Sequence, residues 1–190
     1  MLLFRHVPTL IHRMEERGIG VRKADASALP APSEQRDRVI VVGYGPCGEI
    51  ITRILQEHEI EVVVLEMNID TVTHLTQQGY YAMHGDARLR TILQLAGVEK
   101  ARAIIITAVG APAREIAASA RALNPGINVM AHTTYMKNAR NMRSDGAQTV
   151  VSGEEEVALT LSGLLLSSLD ATEEQIARAR RDYREQLANK

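Results

Sequence analysis

Three glycines stand at the spacing of a loop that can cradle a phosphate. Gly43, Gly45 and Gly48 follow the apolar run 39–42, and residues 49–56 carry apolar side chains at helical spacing. In this order of strand, loop and helix, Gly43 allows a tight turn, Gly45 lets the backbone approach a pyrophosphate, and Gly48 lets the helix pack closely. A helix that begins at Pro46 directs free N–H groups and a partial positive charge toward the phosphate.

An acidic residue follows at the distance that ribose recognition requires. The next apolar run, 61–65, ends at Glu66, whose carboxylate is expected to accept hydrogen bonds from ribose hydroxyls. Met67 and Asn68 come next, and no arginine stands there to bind a 2′-phosphate, which disfavours NADP. The pattern predicts a nucleotide-binding site. The alternative is the same fold with an empty or degenerate site.

The carboxyl ends of the other predicted strands add candidate contacts, because open α/β sheets bind ligands at those ends. Asp86 is expected to accept a hydrogen bond from an adenine amino group or a ribose hydroxyl, or to cap a helix beginning near Arg88. The predicted nucleotide-binding residues are Gly43, Tyr44, Gly45, Pro46, Cys47, Gly48, Glu66, Met67, Asn68, Asp86, Ala87, Thr107 and His132.

The nucleophilic and metal-binding residue types do not form a catalytic pattern. Cys47 lies in a first helical turn, where a thiolate would be stabilised. We favour the interpretation that Cys47 is a small residue that fits a crowded loop, because no base or resolving thiol stands beside it. The six histidines and the lone cysteine lack metal-ligand spacing. The sequence therefore predicts neither a metal site nor a catalytic residue.

Strand and helix patterns alternate from residue 38 onward. Strands are predicted at 38–42, 61–66, 80–84, 103–107, 127–131 and 148–151, and helices at 46–58, 69–78, 88–96, 112–123 and 134–144. The second helix is expected to end in a cap at Gly79. This alternation predicts an α/β fold with a Rossmann-like, doubly wound, six-stranded parallel sheet and right-handed crossovers.

A strongly apolar helix follows the last strand. Ser152 and Glu155 have the spacing of a capping box, and residues 153–169 are too apolar for a helix with one covered face. We expect a second subunit to cover this dimerisation helix; the alternative is that the tail 170–190, helical over about 172–188, folds back over it. Residues 38–152 are then the nucleotide-binding domain.

Composition narrows the class of protein. The chain has 190 residues, 45% of them hydrophobic, a net charge of −1 and 3% aromatic residues, which argues against a nucleic-acid partner. One cysteine permits no internal disulfide, and no apolar run reaches the roughly 20 residues that span a bilayer. The N-terminus lacks the basic, apolar and small-residue regions that follow one another in a signal peptide, so the chain is expected in the cytoplasm. Residues 1–20 are expected to form a basic amphipathic segment that lies against a membrane, packs on the domain or stays in solution. Residues 21–37 are expected to form a linker.

Four segments together resemble one known family. They are 39–56 around the glycine loop, 62–70, 80–107 with its HGDA motif, and 119–133. Residues 38–168 resemble the RCK (TrkA-N, or KTN) domain, and most nearly the C-terminal domain of Kef-type monovalent cation:proton antiporters. The resemblance implies a cytoplasmic regulatory domain at the inner or plasma membrane that binds an adenine nucleotide, dimerises through residues 153–169 and gates a membrane cation transporter.

Departures from the family pattern bear on the ligand. Relatives often carry arginine where Pro46 and His132 stand, and this chain places Glu49 near the expected pyrophosphate. AMP is therefore favoured, with NAD(H) or ATP as alternatives. Two other classes stay open: a small NAD-dependent oxidoreductase or redox-sensing Rossmann protein, and a dimerisation module with an inactive site. Activity with NADH would distinguish the first, and nucleotide affinity the second.

Overall fold

A computed structural model describes residues 37–188 of the chain. The segment predicted at 1–20 and nearly all of the linker at 21–37 lie outside the described residues. The strands are β1 (Arg38–Val42), β2 (Glu61–Glu66), β3 (Tyr81–His84), β4 (Ala103–Ile106), β5 (Asn128–Thr133) and β6 (Thr149–Ser152). The helices are α1 (Pro46–Glu57), α2 (Ile69–Gln77), α3 (Arg90–Leu95), α4 (Ala113–Leu123), α5 (Met136–Ser144), α6 (Gly153–Ser168) and α7 (Glu173–Ala188), with a 3-10 turn at Val98–Lys100.

The strands form one six-stranded sheet in the order β3-β2-β1-β4-β5-β6. Every pairing is parallel, so the predicted doubly wound parallel sheet is confirmed. The strands β1, β2 and β3 follow one another toward one edge of the sheet, and β4 then pairs with the other side of β1. The neighbours β1 and β4 therefore form the switch point of the sheet, where open α/β folds leave a crevice at the carboxyl ends of the strands.

The sheet has an apolar core on each face. β1 is buried along its whole length and alternates between the two sides, with Ile40 and Val42 in one core and Val39 and Val41 in the other. This double burial explains why the strand reads as a continuous apolar run rather than as an alternating one. Two packed faces hold the carboxyl ends of the central strands in fixed positions.

The predicted caps of α3 and α6 differ from the structure. The helix predicted from residue 88 begins at Arg90, because the Asp86 side chain accepts a hydrogen bond from the Arg88 N–H and holds that stretch in a turn. The expected capping of this helix by Asp86 was therefore wrong; its N-cap is Leu89. The capping box was also wrong: Ser152 is the N-cap of α6 but makes no cap hydrogen bond, and its hydroxyl is buried without a partner among the described residues.

The tail helix α7 packs along α6. Ion pairing joins Arg184 to Glu156 at 2.8 Å, and the Arg180 guanidinium donates to the Leu159 carbonyl at 3.4 Å. Gly163 of α6 is buried at this contact, where an added Cβ would lie 2.8 Å from Arg180. The tail thus covers the face of α6 that carries Leu159 and Gly163, and the opposite face stays exposed.

No helix of residues 37–188 is long and apolar enough to cross a membrane.

Candidate functional site

The glycine loop begins with a turn that only glycine tolerates. Gly43 has a φ of +96°, and a Cβ at this position would lie 2.7 Å from the Ala108 Cβ. The Gly43 N–H donates to the Leu65 carbonyl at 2.8 Å, which ties the loop to β2. The loop is therefore pressed between the ends of β2 and β4, at the switch point of the sheet.

Gly48 lets α1 pack against that turn. A Cβ on Gly48 would stand 2.1 Å from the Gly43 carbonyl oxygen and 2.9 Å from the Thr107 hydroxyl. Thr107 itself is buried, and its hydroxyl lies 2.8 Å from the Gly43 oxygen and 3.0 Å from the Val42 oxygen. The hydroxyl thus donates to the loop backbone, so Thr107 supports the loop from beneath.

Gly45 is the open point of the loop. It is the N-cap of α1 with an ordinary φ of −72°, it is exposed, and an added Cβ would meet nothing within 4 Å. Pro46 occupies the first position of the helix, and Glu49 lies in the first turn. The loop backbone is therefore open at Gly45, next to the N-terminus of α1, whose free N–H groups can bind an anion.

Glu66 fastens the glycine loop to the end of β2. Its Oε2 accepts the Tyr44 N–H at 2.8 Å, while Oε1 accepts the N–H groups of Met67 at 2.7 Å and Asn68 at 2.9 Å. A carboxylate has about four acceptor positions, two on each oxygen. Oε2 therefore keeps room for one further donor, such as a ribose hydroxyl.

Neighbouring side chains hold the turn after β2. The Asn68 side chain accepts the N–H groups of Asp70 at 2.9 Å and Thr71 at 3.2 Å, and so caps α2. The His84 ring at the end of β3 lies 3.0 Å from the Met67 carbonyl, while the Met67 side chain is 68% exposed. Met67 is thus a fixed backbone with a solvent-exposed apolar side chain at the rim of the crevice.

The turn after β3 holds an ion pair. Asp86 accepts from the Arg88 backbone N–H and, at 2.8 Å and 2.5 Å, from its Nε and Nη2. The hydrogen-bonded Arg88 guanidinium holds the pKa of the Asp86 carboxyl below its usual range. Ala87 between them is buried in the core, so only its backbone can face a ligand. Sequence reasoning missed the role of Arg88; an arginine two residues after an aspartate at a strand end was the available signal.

The remaining predicted residues have structural surroundings. Tyr44 packs edge-on against Tyr80, with ring centroids 6.3 Å apart, and burial raises the pKa of its hydroxyl. Burial likewise raises the pKa of the Cys47 thiol, which favours the interpretation of Cys47 as a small packing residue. His132 lies within β5, which extends past the predicted end at 131, and its Nδ1 is buried without a partner among the described residues.

The residues brought together form a binding arrangement. Gly43–Gly48, Glu66–Asn68 and Asp86–Ala87 lie at the ends of three adjacent strands, with Thr107 under the loop. Backbone N–H groups at the start of α1 suit a phosphate, and the carboxylates at the ends of β2 and β3 suit hydroxyl and amino donors. Between residues 37 and 188 no group of three or more histidine, cysteine, aspartate or glutamate side chains is placed to hold a metal ion.

Comparison with known proteins gives consistent matches. The model of the TrkA-N domain family matches residues 39–153. The putative cation/proton antiporter YbaL of Escherichia coli K12 is 37% identical over 135 residues, an alignment that covers 70% of this chain and 24% of that protein. The chain therefore spans about a quarter of the length of this curated relative.

Solved structures show the same fold. The TrkA-N domain of the E. coli inner membrane protein ybaL is 36% identical, with a TM-score of 0.65 over 70% of this chain and 99% of that one. The Kef C-terminal domain of Shewanella denitrificans in its AMP-bound form is 22% identical, with a TM-score of 0.64 over 79% and 92% of the two chains. The GsuK channel bound to NAD is 24% identical, with a TM-score of 0.59 over 79% and 27%. The last two similarities are of fold alone.

Proposed function

The chain belongs to the TrkA-N domain family, and on that premise we propose that residues 38–152 are an adenine-nucleotide-binding regulatory domain of a monovalent cation:proton antiporter or potassium transport system. One arrangement carries the proposal: the open backbone at Gly45 lies beside Glu66, whose Oε2 keeps one acceptor position. A phosphate at the loop and a ribose at the carboxylate require these two features together. The similarity to a putative cation/proton antiporter supports the class of partner.

The preferred nucleotide in this proposal is AMP. Structures of similar fold include proteins bound to AMP, ADP and NAD, which supports the adenine nucleotide class. Pro46 contributes no positive charge for a second phosphate, and Glu49 adds a negative charge in the first turn of α1. Glu66 would also repel a 2′-phosphate, so NADP is the least favoured nucleotide.

The proposed domain works as a dimer on a membrane transporter. The exposed face of α6 is the proposed contact between two copies, and the cytoplasmic side of the membrane is the proposed location. Nucleotide would shift the equilibrium between two dimer arrangements by its differential affinity for them. In this proposal the domain binds the nucleotide without catalysing a reaction.

Titration calorimetry with AMP, ADP, ATP, NAD, NADH and NADP tests the proposal, with Gly45→Ala as the informative variant. A methyl group at position 45 meets no protein atom, so the fold should be unchanged while the approach of a phosphate is blocked. The matched control is Gly126→Ala, whose Cβ would make only an ordinary 3.8 Å contact in the turn before β5.

We expect AMP to bind the parent chain and Gly126→Ala equally and Gly45→Ala at least tenfold more weakly. At a hundred times its dissociation constant, a ligand should also stabilise the parent chain by about 2.7 kcal/mol in thermal unfolding. Absence of binding by all six nucleotides would refute the proposal. Binding that is equal in Gly45→Ala and the parent chain would refute the assignment of the site.

A further inference from the structure

Both carboxylate oxygens of Asp86 are bound by its own neighbour, Arg88. Oδ1 accepts the Arg88 backbone N–H at 2.9 Å and Nε at 3.1 Å, and Oδ2 accepts Nε at 2.8 Å and Nη2 at 2.5 Å. The Nε–H is shared between the two oxygens, so Asp86 accepts three N–H groups in all, and the Arg88 guanidinium spans both oxygens. Glu66 also accepts three N–H groups, but all of them belong to the backbone, whereas two of the three on Asp86 belong to an exposed side chain that a ligand can displace.

Arg88 has a fixed backbone and a side chain that water can reach. The Ser119 hydroxyl of α4 donates to the Arg88 carbonyl at 2.7 Å, which fixes the backbone of the turn. The Arg88 side chain is 54% exposed, against 22% for Asp86. The hydrogen-bonded Asp86 and, more weakly, the nearby Glu115 of α4 raise the pKa of Arg88. Glu115 therefore offers the guanidinium a second acidic neighbour if it leaves Asp86.

We propose that Arg88 is a lock on Asp86 that competes with the 6-amino group of an adenine base for the carboxylate. The inference rests on the proposed nucleotide-binding function and adds a residue that sets its affinity and base preference. An adenine that donates to Asp86 must first displace the Nε and Nη2 contacts. The apparent affinity for AMP is then lower than it would be if Arg88 did not bind Asp86.

The size of the effect follows from the exposure of the pair. Exposed ion pairs are weak because solvent competes for both groups, so the lock lowers affinity by about two- to fivefold. Inosine monophosphate is the informative comparison ligand, because it carries a 6-oxo group in place of the amino group. Its 6-oxo group cannot donate, so at the 6-position it gains no hydrogen bond from a vacated carboxylate.

Equilibrium dissociation constants of AMP and IMP for four variants of the full chain test the lock. They are Arg88→Ala, Arg90→Ala, Asp86→Asn and the double variant with both Asp86→Asn and Arg88→Ala. Arg90 is the matched control, since it is an exposed arginine of the same segment and loses the same charge. Circular dichroism verifies that each variant is folded.

We expect Arg88→Ala to bind AMP about two- to fivefold more tightly than the parent chain, with IMP unchanged and Arg90→Ala at the parent value. Asp86→Asn should weaken AMP binding, and adding Arg88→Ala should then have no further effect. Equal or weaker AMP binding by Arg88→Ala, or an equal gain for IMP, would overturn the lock while the nucleotide-binding proposal stands. Failure of every variant to bind any nucleotide would overturn both.

Discussion

Gly48 of the glycine loop is required for the packing of the fold, whereas Gly45 is proposed to be required only for the approach of a ligand. A Cβ at Gly48 would stand 2.1 Å from the Gly43 carbonyl oxygen, and neither backbone can yield without moving α1 or β1. We expect Gly48→Ala to lower the free energy of unfolding by about 1–3 kcal/mol, the usual cost of overpacking. Urea unfolding followed by circular dichroism measures this change.

Gly45→Ala is the control for Gly48→Ala within the same loop. Its Cβ meets nothing within 4 Å, so its unfolding midpoint should match that of the parent chain. A Gly48→Ala variant as stable as Gly45→Ala would show that the loop adapts, and would contradict the close packing that the structure describes.

Opposing effects act on the Cys47 thiol. Its place at the start of α1 would stabilise a thiolate, whereas burial disfavours the charged form. Burial prevails and raises the pKa, so the thiolate fraction at pH 7 falls below that of a free cysteine. We expect iodoacetamide to alkylate Cys47 more slowly in the folded protein at pH 7 than in urea, with a rate that rises as pH passes the ordinary thiol value.

Mass spectrometry follows this alkylation without ambiguity, because the chain has one cysteine. The urea-unfolded chain is the reference at each pH. Faster reaction in the folded state at pH 7 would contradict the raised pKa and would indicate an activated thiol in the loop.

Residue types at the site were predictable, but their partners were not. The spacing of the glycines and of Glu66 follows from backbone geometry that any chain with this fold must satisfy, so the sequence predicts their positions. The sequence does not reveal that Glu66 accepts the Tyr44 N–H, or that Arg88 occupies Asp86. Those contacts depend on side-chain rotamers and on turns between strands, for which periodicity gives no signal.

At the scale of elements, two helices end in a conformation that disfavours their residues. Glu59 follows α1 with a φ of 59°, and Asp170 follows α6 with a φ of 62°. In both places the chain forms the paired hydrogen bonds of a Schellman cap, as in Ile60 N–H to Leu55 and Glu59 N–H to Gln56. Glycine is the residue that this left-handed position favours.

We therefore expect Glu59→Gly to raise the free energy of unfolding by about 1 kcal/mol, because it removes the strain of a Cβ in the left-handed region. The matched control is Glu57→Gly, which removes the same charge from the last residue of α1 and should cost about 1 kcal/mol. Chemical unfolding of the two variants side by side measures both effects. A loss of stability in Glu59→Gly would contradict the strain argument.

Elements with a strong periodic signal were predicted closely. β1 and β2 have the predicted bounds, because runs of β-branched residues buried on both faces fit no other element. The start of α3 and the caps of α3 and α6 were predicted less well. The Asp86 side chain accepts the Arg88 N–H in the turn before α3, and the Ser152 hydroxyl at the start of α6 makes no cap hydrogen bond.

At the scale of the whole molecule, the two ends of the sheet differ. The carboxyl ends of the strands carry the open loop and the carboxylates of the candidate site. At the amino ends, Arg38 forms a buried ion pair with Glu61 and contacts the Ala96 carbonyl. Polar groups sealed inside one end favour a structural role there, while the exposed groups at the other end favour binding.

The surface of α6 gives the prediction that belongs to the whole molecule. Val157, Leu161, Leu164 and Leu165 lie at helical spacing along one face and are each about 60% exposed, with Leu169 just beyond the helix end. The tail helix α7 packs on the other face, at Leu159 and Gly163. Sequence composition showed the excess of apolar residues, but which of them the tail covers depends on how two helices pack.

An exposed apolar stripe of this length on a surface helix is typical of an interface between copies of a chain. We expect the parent chain to be a dimer and the double variant Leu161→Glu/Leu165→Glu to be a monomer, because two charges on each copy would have to be buried at the contact. The control is Thr160→Glu/Ser167→Glu, which adds the same charges at exposed positions beside the stripe. Sedimentation equilibrium measures the mass of each; a parent chain that is monomeric at high micromolar concentration, or a leucine variant that stays dimeric, would rule out α6 as the contact.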